Sequence, residues 1–196
     1  MTTANRKTGT TLVLIAAALL AIGCGAGQYG FAKKYVPLGD EDDFWEQSKA
    51  FTYEAVNTDP ADYEDKLIGW FGVVQKVTPK DDGKYEVRMA HRKHQPRHLC
   101  SSDSIRSCRV TVHFRSSGSF SALLDLRPED TAASLDKIQP GSLMRVYGKV
   151  RCKENDDEEM VCDYDDMGGV LLDGAYYRQW PVRLFVTTRS ASELKR

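Results

Sequence analysis

Three histidines within eight residues are the first group in this chain whose types and spacing could do chemistry. His91, His94 and His98 fall in the segment HRKHQPRHLC, and an imidazole can bind zinc or copper or transfer a proton. A metal site needs a defined number of ligands in a defined geometry. Pro96 excludes a helix through these histidines, and no carboxylate lies among them. We therefore expect a surface loop here, with no metal and no cofactor.

Other catalytic patterns are missing from the sequence. His113 stands alone on a predicted strand, and no G-x-S-x-G or P-loop motif occurs. The acid-rich segment ENDDEEMVCDYDDMGG could attract calcium. An EF-hand count that begins at Asp163 puts Met167 at the fifth position and Gly174 at the twelfth, where the bidentate acid belongs. We interpret the segment as a solvated acidic hairpin tip, and we expect no enzymatic activity.

The most suggestive feature is a set of basic side chains, with one tyrosine, at alternate positions of the predicted strands. In this register they point away from the apolar core, where an anionic polymer or an acidic partner could bind them. Exposed strand faces also need polar side chains, so a solvated face without a ligand is the alternative. The candidate binding residues are Arg88, Arg109, His113, Arg115, Arg145, Tyr147 and Lys149.

The overall composition gives no net charge that would attract the protein to nucleic acid or to a membrane surface. The 196 residues include 27 Lys and Arg against 28 Asp and Glu, so the net charge is only −1. Hydrophobic residues make up 41% of the chain and aromatic residues 10%, as in globular proteins. One domain with additional terminal segments is the expected organisation.

The elements that must position these residues are mostly strands. A helix is predicted over residues 40–60, with Asp40 as its N-cap and acids in its first turn. From residue 66 the apolar period is that of strands, and Pro181 indicates an edge or a bend in the last of them. The predicted strands are KLIGWFGVVQKV, KYEVRMAH, CRVTVHFR, a short FSALLDL after a turn at SGS, LMRVYGKVRC and YYRQWPVRLFVTT, with a short helix in RPEDTAASLDKIQPGS.

This order of elements resembles the OB-fold, a small Greek-key barrel with a helix between its third and fourth strands. The segment QPGSLMRVYGKV is similar to the approach to the fourth strand in such domains. The resemblance covers about residues 60–187. It implies a mainly β protein in which an OB-fold-like barrel follows an N-terminal helix and carries a short helix before its fourth strand. OB-folds bind ligands on the outside of strands two and three, where the basic set would lie. A general β-sandwich is the structural alternative.

The first thirty residues have the pattern of an export signal. Arg6 and Lys7 precede an apolar run over residues 12–22, which is too short for a membrane span of about 20 residues. The box LAIGC that ends at Cys24 resembles the lipobox of bacterial lipoproteins, in which the chain is cut before the cysteine and the thiol is acylated. The resemblance implies a signal peptide over residues 1–23, a lipidated Cys24 and a flexible tether over 24–39. An uncleaved signal anchor is the alternative.

The remaining cysteines agree with an exported protein. With Cys24 assigned to lipid, Cys100, Cys108, Cys152 and Cys162 are an even number that can pair in an oxidising compartment. Three pairings are possible, and proximity in sequence favours Cys100 with Cys108 and Cys152 with Cys162.

A further resemblance concerns the segment GWFGVV at residues 69–74, which is similar to a W-x-G-V/I-V strand in Slp-type outer-membrane lipoproteins. Together the resemblances imply a non-enzymatic, lipid-anchored protein of the cell envelope, in the outer membrane, facing the periplasm or the cell surface. Its barrel over residues 61–188, followed by a tail over 189–196, would be a binding or scaffolding module. Its partners would be the membrane and an envelope protein or anionic polymer, without nucleic acid. The alternatives are an OB domain that binds nucleic acid or an anionic polymer, and a metal-dependent envelope enzyme that uses the loop from His91 to His98.

Overall fold

The computed structural model describes residues 31–37, 39–48, 50–95, 97–100, 108–132, 137–157 and 159–188. The predicted signal peptide, Cys24, the tether up to residue 30 and the tail over 189–196 lie outside these residues. Within the described ranges, no helix is long and apolar enough to cross a membrane.

The described chain is mainly β, as the sequence predicts. Its helices are short: α1 (Glu41–Gln47), α2 (Tyr53–Thr58), α3 (Pro128–Thr131) and the 3₁₀ turns Pro60–Tyr63 and Val182–Leu184. The strands are β1 (Phe31–Lys34), β2 (Ile68–Pro79), β3 (Tyr85–His94), β4 (Arg97–Cys100), β5 (Cys108–Leu124), β6 (Leu143–Val150), β7 (Cys152–Glu154), β8 (Met160–Cys162), β9 (Leu171–Trp180) and β10 (Phe185–Thr188).

Five of these strands close into a barrel in the order β5, β3, β2, β6, β9 and back to β5. The closing pair, β5 with β9, is parallel, whereas the other four pairs are antiparallel. Helix α3 lies between the third and fourth barrel strands, β5 and β6. Numbered along the chain, the barrel strands follow the circular order 1-2-3-5-4, which is the connectivity of the OB-fold. The predicted OB-like barrel is therefore confirmed.

Apolar side chains from all five strands fill the barrel, because residues at every second position of a strand share one face. Gly72 in β2 is needed for close packing, since a Cβ atom there would lie 2.6 Å from the Cβ of Met89. The interior side chains include Ile68, Val74, Val87, Met89, Phe120, Ala122, Leu124, Met144, Val146, Val150 and Leu172.

The helix predicted over residues 40–60 is interrupted. The chain is extended at Ser48, and α2 begins after Thr52, whose side chain accepts a hydrogen bond from the backbone nitrogen of Ala55. Between the helices, the carbonyl oxygen of Phe51 accepts a hydrogen bond from Nε1 of Trp70 at 2.9 Å. The side-chain cap and the bond to β2 compensate for the hydrogen bonds that a continuous helix would form.

The turn predicted at SGS is wrong, because β5 continues through residues 117–119. Strand β3 pairs with β5 on both sides of this segment, at Ser116 and at Ser119, with a register shift between them. Gly118 is required there, since a Cβ atom would lie 2.4 Å from the ring of Tyr53. The segment predicted as a hairpin turn is thus part of one long strand, and Gly118 leaves room there for Tyr53 of α2.

Ordered structure begins before the predicted end of the tether at residue 39. Strand β1 pairs antiparallel with β4, and Tyr35, which follows it, is 4% exposed. The predicted loop from His91 to His98 is also mostly strand, since β3 runs to His94 and β4 begins at Arg97. These added strands and β10 cover the outer side of the barrel. A second core forms there from Tyr35, Phe71, Val110, Val112, Leu143 and Trp180.

The acidic hairpin is formed by β7 and β8. A disulfide joins Cys152 and Cys162, with an S–S distance of 2.07 Å, and the two residues also face each other in the strand register. In the register of β4 and β5, Cys100 lies opposite Cys108. Their side chains fall outside the described part of the chain, so this second bond stays a prediction.

Candidate functional site

The face that OB-folds use for ligands is partly covered in this protein by its own chain. The segment between β8 and β9 lies over β3 and β5, and it is held there by Asp165, which is 9% exposed. The Asp165 carboxylate accepts hydrogen bonds from Oγ of Ser121 and from the backbone nitrogen of Gly169, both at 3.0 Å. Arg88 lies 3.6 Å from Asp165 and 3.1 Å from Asp166, so its charge is balanced within the protein.

Four of the candidate basic residues keep contact with solvent but do not gather at one site. Arg109 and Arg115 are exposed on β5, and His113 between them is half-buried. Lys149 is exposed on β6, with its Nζ 3.8 Å from the carboxylate of Asp65. Their arrangement agrees with the alternative of solvated strand faces without a ligand.

Arg145 and Tyr147 contradict the expectation of an exposed basic face. Both point out of the barrel, as the predicted register requires, but Arg145 is 6% exposed and Tyr147 is fully buried. The cover consists of α1 and the segment before it, which pack against the outer side of β6 through Trp45 and Phe44. The predicted register of β6 is therefore confirmed. The prediction that Arg145 and Tyr147 are exposed to solvent is wrong.

A buried carboxylate holds this cover on the barrel. Glu41, the first residue of α1, is fully buried and accepts hydrogen bonds from the hydroxyls of Tyr35 at 2.5 Å and Tyr147 at 3.0 Å. Nη1 of Arg178 donates to it at 2.7 Å, and Nη1 of Arg145 lies 4.0 Å away. Burial and the bond to Glu41 raise the pKa of Tyr35, and burial raises the pKa of Tyr147. We call these five residues the Glu41 cluster; its one carboxylate faces two guanidinium groups.

The guanidinium of Arg145 is surrounded by aromatic rings. Its central carbon lies 4.0 Å from the ring centroid of Trp45, 4.7 Å from that of Tyr147 and 4.8 Å from that of Phe71. Such cation–π contacts stabilise a buried charge, each by roughly 0.5–2 kcal/mol. Burial nevertheless lowers the pKa of Arg145. Its Nε and Nη1 atoms have no hydrogen-bond partner among the described residues.

A cleft of about 470 Å³ opens beside Arg145, between residues 45–54 and strands β2 and β3. This volume falls within the range of small-ligand sites. Its walls are mainly aromatic, whereas its polar groups are mostly cationic or imidazole nitrogens. The lining residues are Trp45, Ser48, Ala50, Phe51, Thr52, Tyr53, Glu54, Gly69, Trp70, Phe71, His91, Arg92, Lys93, His94, Ser117 and Arg145.

Two of the three clustered histidines belong to the wall of this cleft. His91 stacks on Tyr53 with ring centroids 5.2 Å apart, and His94 stacks on Phe71 at 4.4 Å. Burial lowers the pKa of His91 to about 4 and that of His94 to about 3, so both are neutral at neutral pH. His98 stacks instead on Tyr35 at 4.9 Å. The expectation of surface-loop histidines is therefore wrong.

The described residues contain no group of three or more His, Cys, Asp or Glu side chains that could hold a metal ion. His91 and His94 face different aromatic partners, and the carboxylate in the cleft is that of Glu54. The groups that the cleft offers a ligand are therefore aromatic rings and the nitrogen atoms of arginine, lysine and histidine side chains.

Several buried nitrogens around the cleft lack hydrogen-bond partners. They are Nδ1 of His91, Nε of Arg92, Nε2 of His94 and Nε and Nη1 of Arg145, as judged within the described residues. Arg92 does use Nη1, which donates to the carbonyl oxygen of Phe114. Buried polar atoms in folded proteins are nearly always paired with protein, water or ligand. These nitrogens are themselves buried in the walls of the cleft, so a ligand or water would complete their hydrogen bonds only after the side chains turn toward it.

The sequence did not reveal this site, apart from its histidines and Arg145. From the sequence, Glu41 is only one of several acids that favour the first turn of a helix. Its partners Arg145 and Arg178 are more than 100 residues away in sequence, and no local spacing links them. The signal available was the basic residue and the tyrosine at alternate positions of β6.

Comparisons of the chain with protein-family models, with curated proteins and with solved structures find no match. The fold assignment therefore depends on the strand connectivity described above. Function has to be inferred from the residues of the site and from the N-terminal pattern.

Proposed function

We propose that this protein is a lipid-anchored binding protein of the cell envelope, and that its barrel holds a ligand in the cleft between residues 45–54 and strands β2 and β3. The proposal assigns it no catalytic step. The observation that carries it is the set of unpaired nitrogens on His91, Arg92, His94 and Arg145, which lie along one aromatic cleft of about 470 Å³.

The envelope location is supported by the N-terminal pattern and by the cysteines. The lipobox-like LAIGC predicts acylation of Cys24, and several acyl chains together hold a protein on a membrane where one chain holds it only marginally. A disulfide between Cys152 and Cys162 is typical of exported proteins. From Cys24 to Phe31, where β1 begins, the chain can span at most about 25 Å, so the barrel would lie close to the bilayer.

The binding role is supported by the contrast between the two faces of the barrel. The usual OB ligand face is partly covered by the segment around Asp165, and Arg88 there is already paired. The cleft, in contrast, is open to a small ligand, and several nitrogen donors of its lining residues have no partner among the described residues. Binding nucleic acid in the way of other OB domains would require displacement of the Asp165 segment, so we do not propose it.

The anchor is tested by intact-mass analysis of the full chain purified from bacterial membranes, with and without reduction. We expect a chain that begins at an acylated Cys24 and gains the mass of two hydrogen atoms per disulfide on reduction. Cys24→Ser is the control and should keep its N-terminus without acylation. A wild-type chain that retains an unlipidated Met1 would contradict the proposal.

The cleft is tested with the full chain in lipid nanodiscs and labelled with 5-fluorotryptophan. Trp45 and Trp70 line the cleft, whereas Trp180, the third tryptophan of the chain, is an internal reference. The probes are phenylacetate, phenylacetamide and phenyl phosphate at millimolar concentration. We expect at least one of them to shift the fluorine resonances of Trp45 and Trp70 more than that of Trp180.

Ala50→Phe, which fills the cleft with a ring, should abolish these shifts. Ala132→Phe is the matched control, because Ala132 is exposed next to α3 and does not line the cleft. If no probe shifts either resonance, or if Ala50→Phe binds as well as the wild type, the cleft is not the binding site.

A further inference from the structure

We infer that the ligand of the cleft is a small carboxylate on a planar apolar body, with the carboxylate at Arg145 and Arg92 and the body against the aromatic wall. The inference depends on the proposed function, since it names the class of ligand for the same cleft. It is argued from the charge around the cleft, the direction of its hydrogen bonds and the shape of its walls.

The charge around the cleft is unbalanced. Among the described lining residues, three cationic side chains, Arg92, Lys93 and Arg145, face a single carboxylate, that of Glu54. The histidines do not change this balance, since burial keeps His91 and His94 neutral. A negative charge brought by a ligand would reduce the repulsion among these cations.

The buried carboxylate of Glu41 does not fully compensate Arg145. Glu41 accepts a hydrogen bond from Arg178 at 2.7 Å, whereas Arg145 lies 4.0 Å from it, beyond hydrogen-bonding distance. The Arg145 side chain is 7% exposed, and a buried charge needs both a counter-charge and hydrogen bonds to be favourable. Arg145 has rings around it and a distant carboxylate, so an anion in the cleft would supply what it lacks.

The direction of the unpaired hydrogen bonds also requires an acceptor. Nε and Nη1 of Arg145 and Nε of Arg92 can only donate, because a guanidinium has no acceptor atom. Carboxylate oxygens accept such bonds more strongly than neutral oxygens do. A neutral imidazole has one donor and one acceptor nitrogen, so His91 and His94 can adapt to either kind of ligand atom.

The walls are suited to a flat apolar body. Tyr53 and His91 stack with an interplanar angle of 26°, and Phe71 and His94 with one of 16°, so the apolar part of the lining consists of stacked ring pairs. Rings pack favourably on such faces in stacked or edge-on arrangements. A carboxylate brings one negative charge beside Arg145, whereas a phosphate monoester would bring nearly two charges close to Glu54.

The test measures affinities by fluorine NMR titration of the full chain in nanodiscs. Phenylacetate and phenylacetamide have almost the same shape but differ in charge, and phenyl phosphate distinguishes a phosphate site from a carboxylate site. We expect phenylacetate to bind at least tenfold more tightly than phenylacetamide, and more tightly than phenyl phosphate.

Variants assign this preference to the cleft. Arg92→Gln should weaken phenylacetate binding about three- to tenfold and leave phenylacetamide binding unchanged. Arg145→Lys, which retains the charge but loses donors, should weaken it further. Arg151→Gln is the matched control, since Arg151 is an exposed cation outside the cleft, paired with Asp163. Arg92 lies at the rim, so its variant remains informative if Arg145→Lys fails to fold.

Each outcome decides between the two proposals. Equal affinities for phenylacetate and phenylacetamide, both abolished by Ala50→Phe, would overturn the carboxylate inference and leave the cleft as a binding site. Tighter binding of phenyl phosphate would also overturn it. Absence of binding by all three probes would overturn the proposed function and the inference together. A tenfold preference that survives Arg92→Gln would remove Arg92 from the site and overturn the assignment.

Discussion

Acid should destabilise this protein through His91, and His91→Phe should remove that part of the effect. The imidazole is 8% exposed and packs between Tyr53 and Trp70. Burial lowers its pKa to about 4, with the nearby Glu54 carboxylate opposing this shift and Arg92 adding to it. An unfolded chain keeps the pKa of histidine near 6.5. Between these two values the unfolded chain binds the proton and the folded protein does not.

The sign and size of the effect follow from this difference. Above pH 6.5 both states hold His91 neutral, so its contribution to stability is complete. As the pH falls from 6.5 toward 4, the unfolded state gains a proton, and the free energy of unfolding falls by about 1.4 kcal/mol per pH unit. At pH 5 the loss is about 2 kcal/mol, and below pH 4 His91 causes no further loss.

The assay is urea unfolding of the oxidised protein at pH 7.5 and pH 5. Phenylalanine has a similar ring and keeps the stacking on Tyr53, so His91→Phe should lose about 2 kcal/mol less than the wild type between the two pH values. Met89→Leu is the control, because Met89 is buried in the same core and does not titrate. Its pH dependence should equal that of the wild type.

If His91→Phe and the wild type lose the same stability between pH 7.5 and pH 5, His91 does not cause the acid sensitivity. Comparing two proteins at the same two pH values cancels the contributions of titrating groups that do not interact with His91; Glu54, which does, is tested separately with Glu54→Gln. The unfolding transitions must be two-state at both pH values for this comparison to hold.

Three further predictions concern Glu41, the disulfide between Cys152 and Cys162, and Asp165. Glu41→Gln removes the carboxylate between Arg145 and Arg178 and should cost about 3–5 kcal/mol in urea unfolding, whereas Asp42→Asn, on the exposed side of α1, should cost under about 0.5 kcal/mol. Replacing Cys152 and Cys162 together by serine should cost about 2–3 kcal/mol, because the disulfide closes a loop of sequence separation 10, and reducing agent should then have no further effect at this hairpin. Asp165→Asn should weaken the hold on the segment over β3 and β5, seen as faster hydrogen exchange at the Gly169 amide, with unchanged exchange in β6.

Much of the barrel could be predicted from the sequence, because its strands are specified locally. Alternating apolar residues place Val87 and Met89 of β3 inside, and the short Pro128 helix before β6 marks the OB order. The segment SGS misled the prediction, since its residues favour turns. The strand continues there instead, and the glycine is needed because the ring of Tyr53 lies close to Gly118.

The candidate site was less predictable, since it depends on what covers a strand. The alternation of apolar and polar residues in β6 correctly predicted that Arg145 and Tyr147 point away from the barrel interior. Strand period, however, determines only the side of the sheet and not its exposure. Whether such a side is solvated depends on contacts with chain segments distant in sequence, here Glu41 and Trp45.

The sequence was sufficient to predict most of the barrel strands and which of their residues face the interior, and it favoured the pairing of Cys152 with Cys162 across a short hairpin. These depend on residues that are neighbours along the chain. Three features emerged only from the folded chain: Glu41 is buried, the Asp165 segment partly covers the OB ligand face, and the clustered histidines stack on aromatic rings. Each of these depends on hydrogen bonds and packing between segments distant in sequence, which form only when the barrel closes.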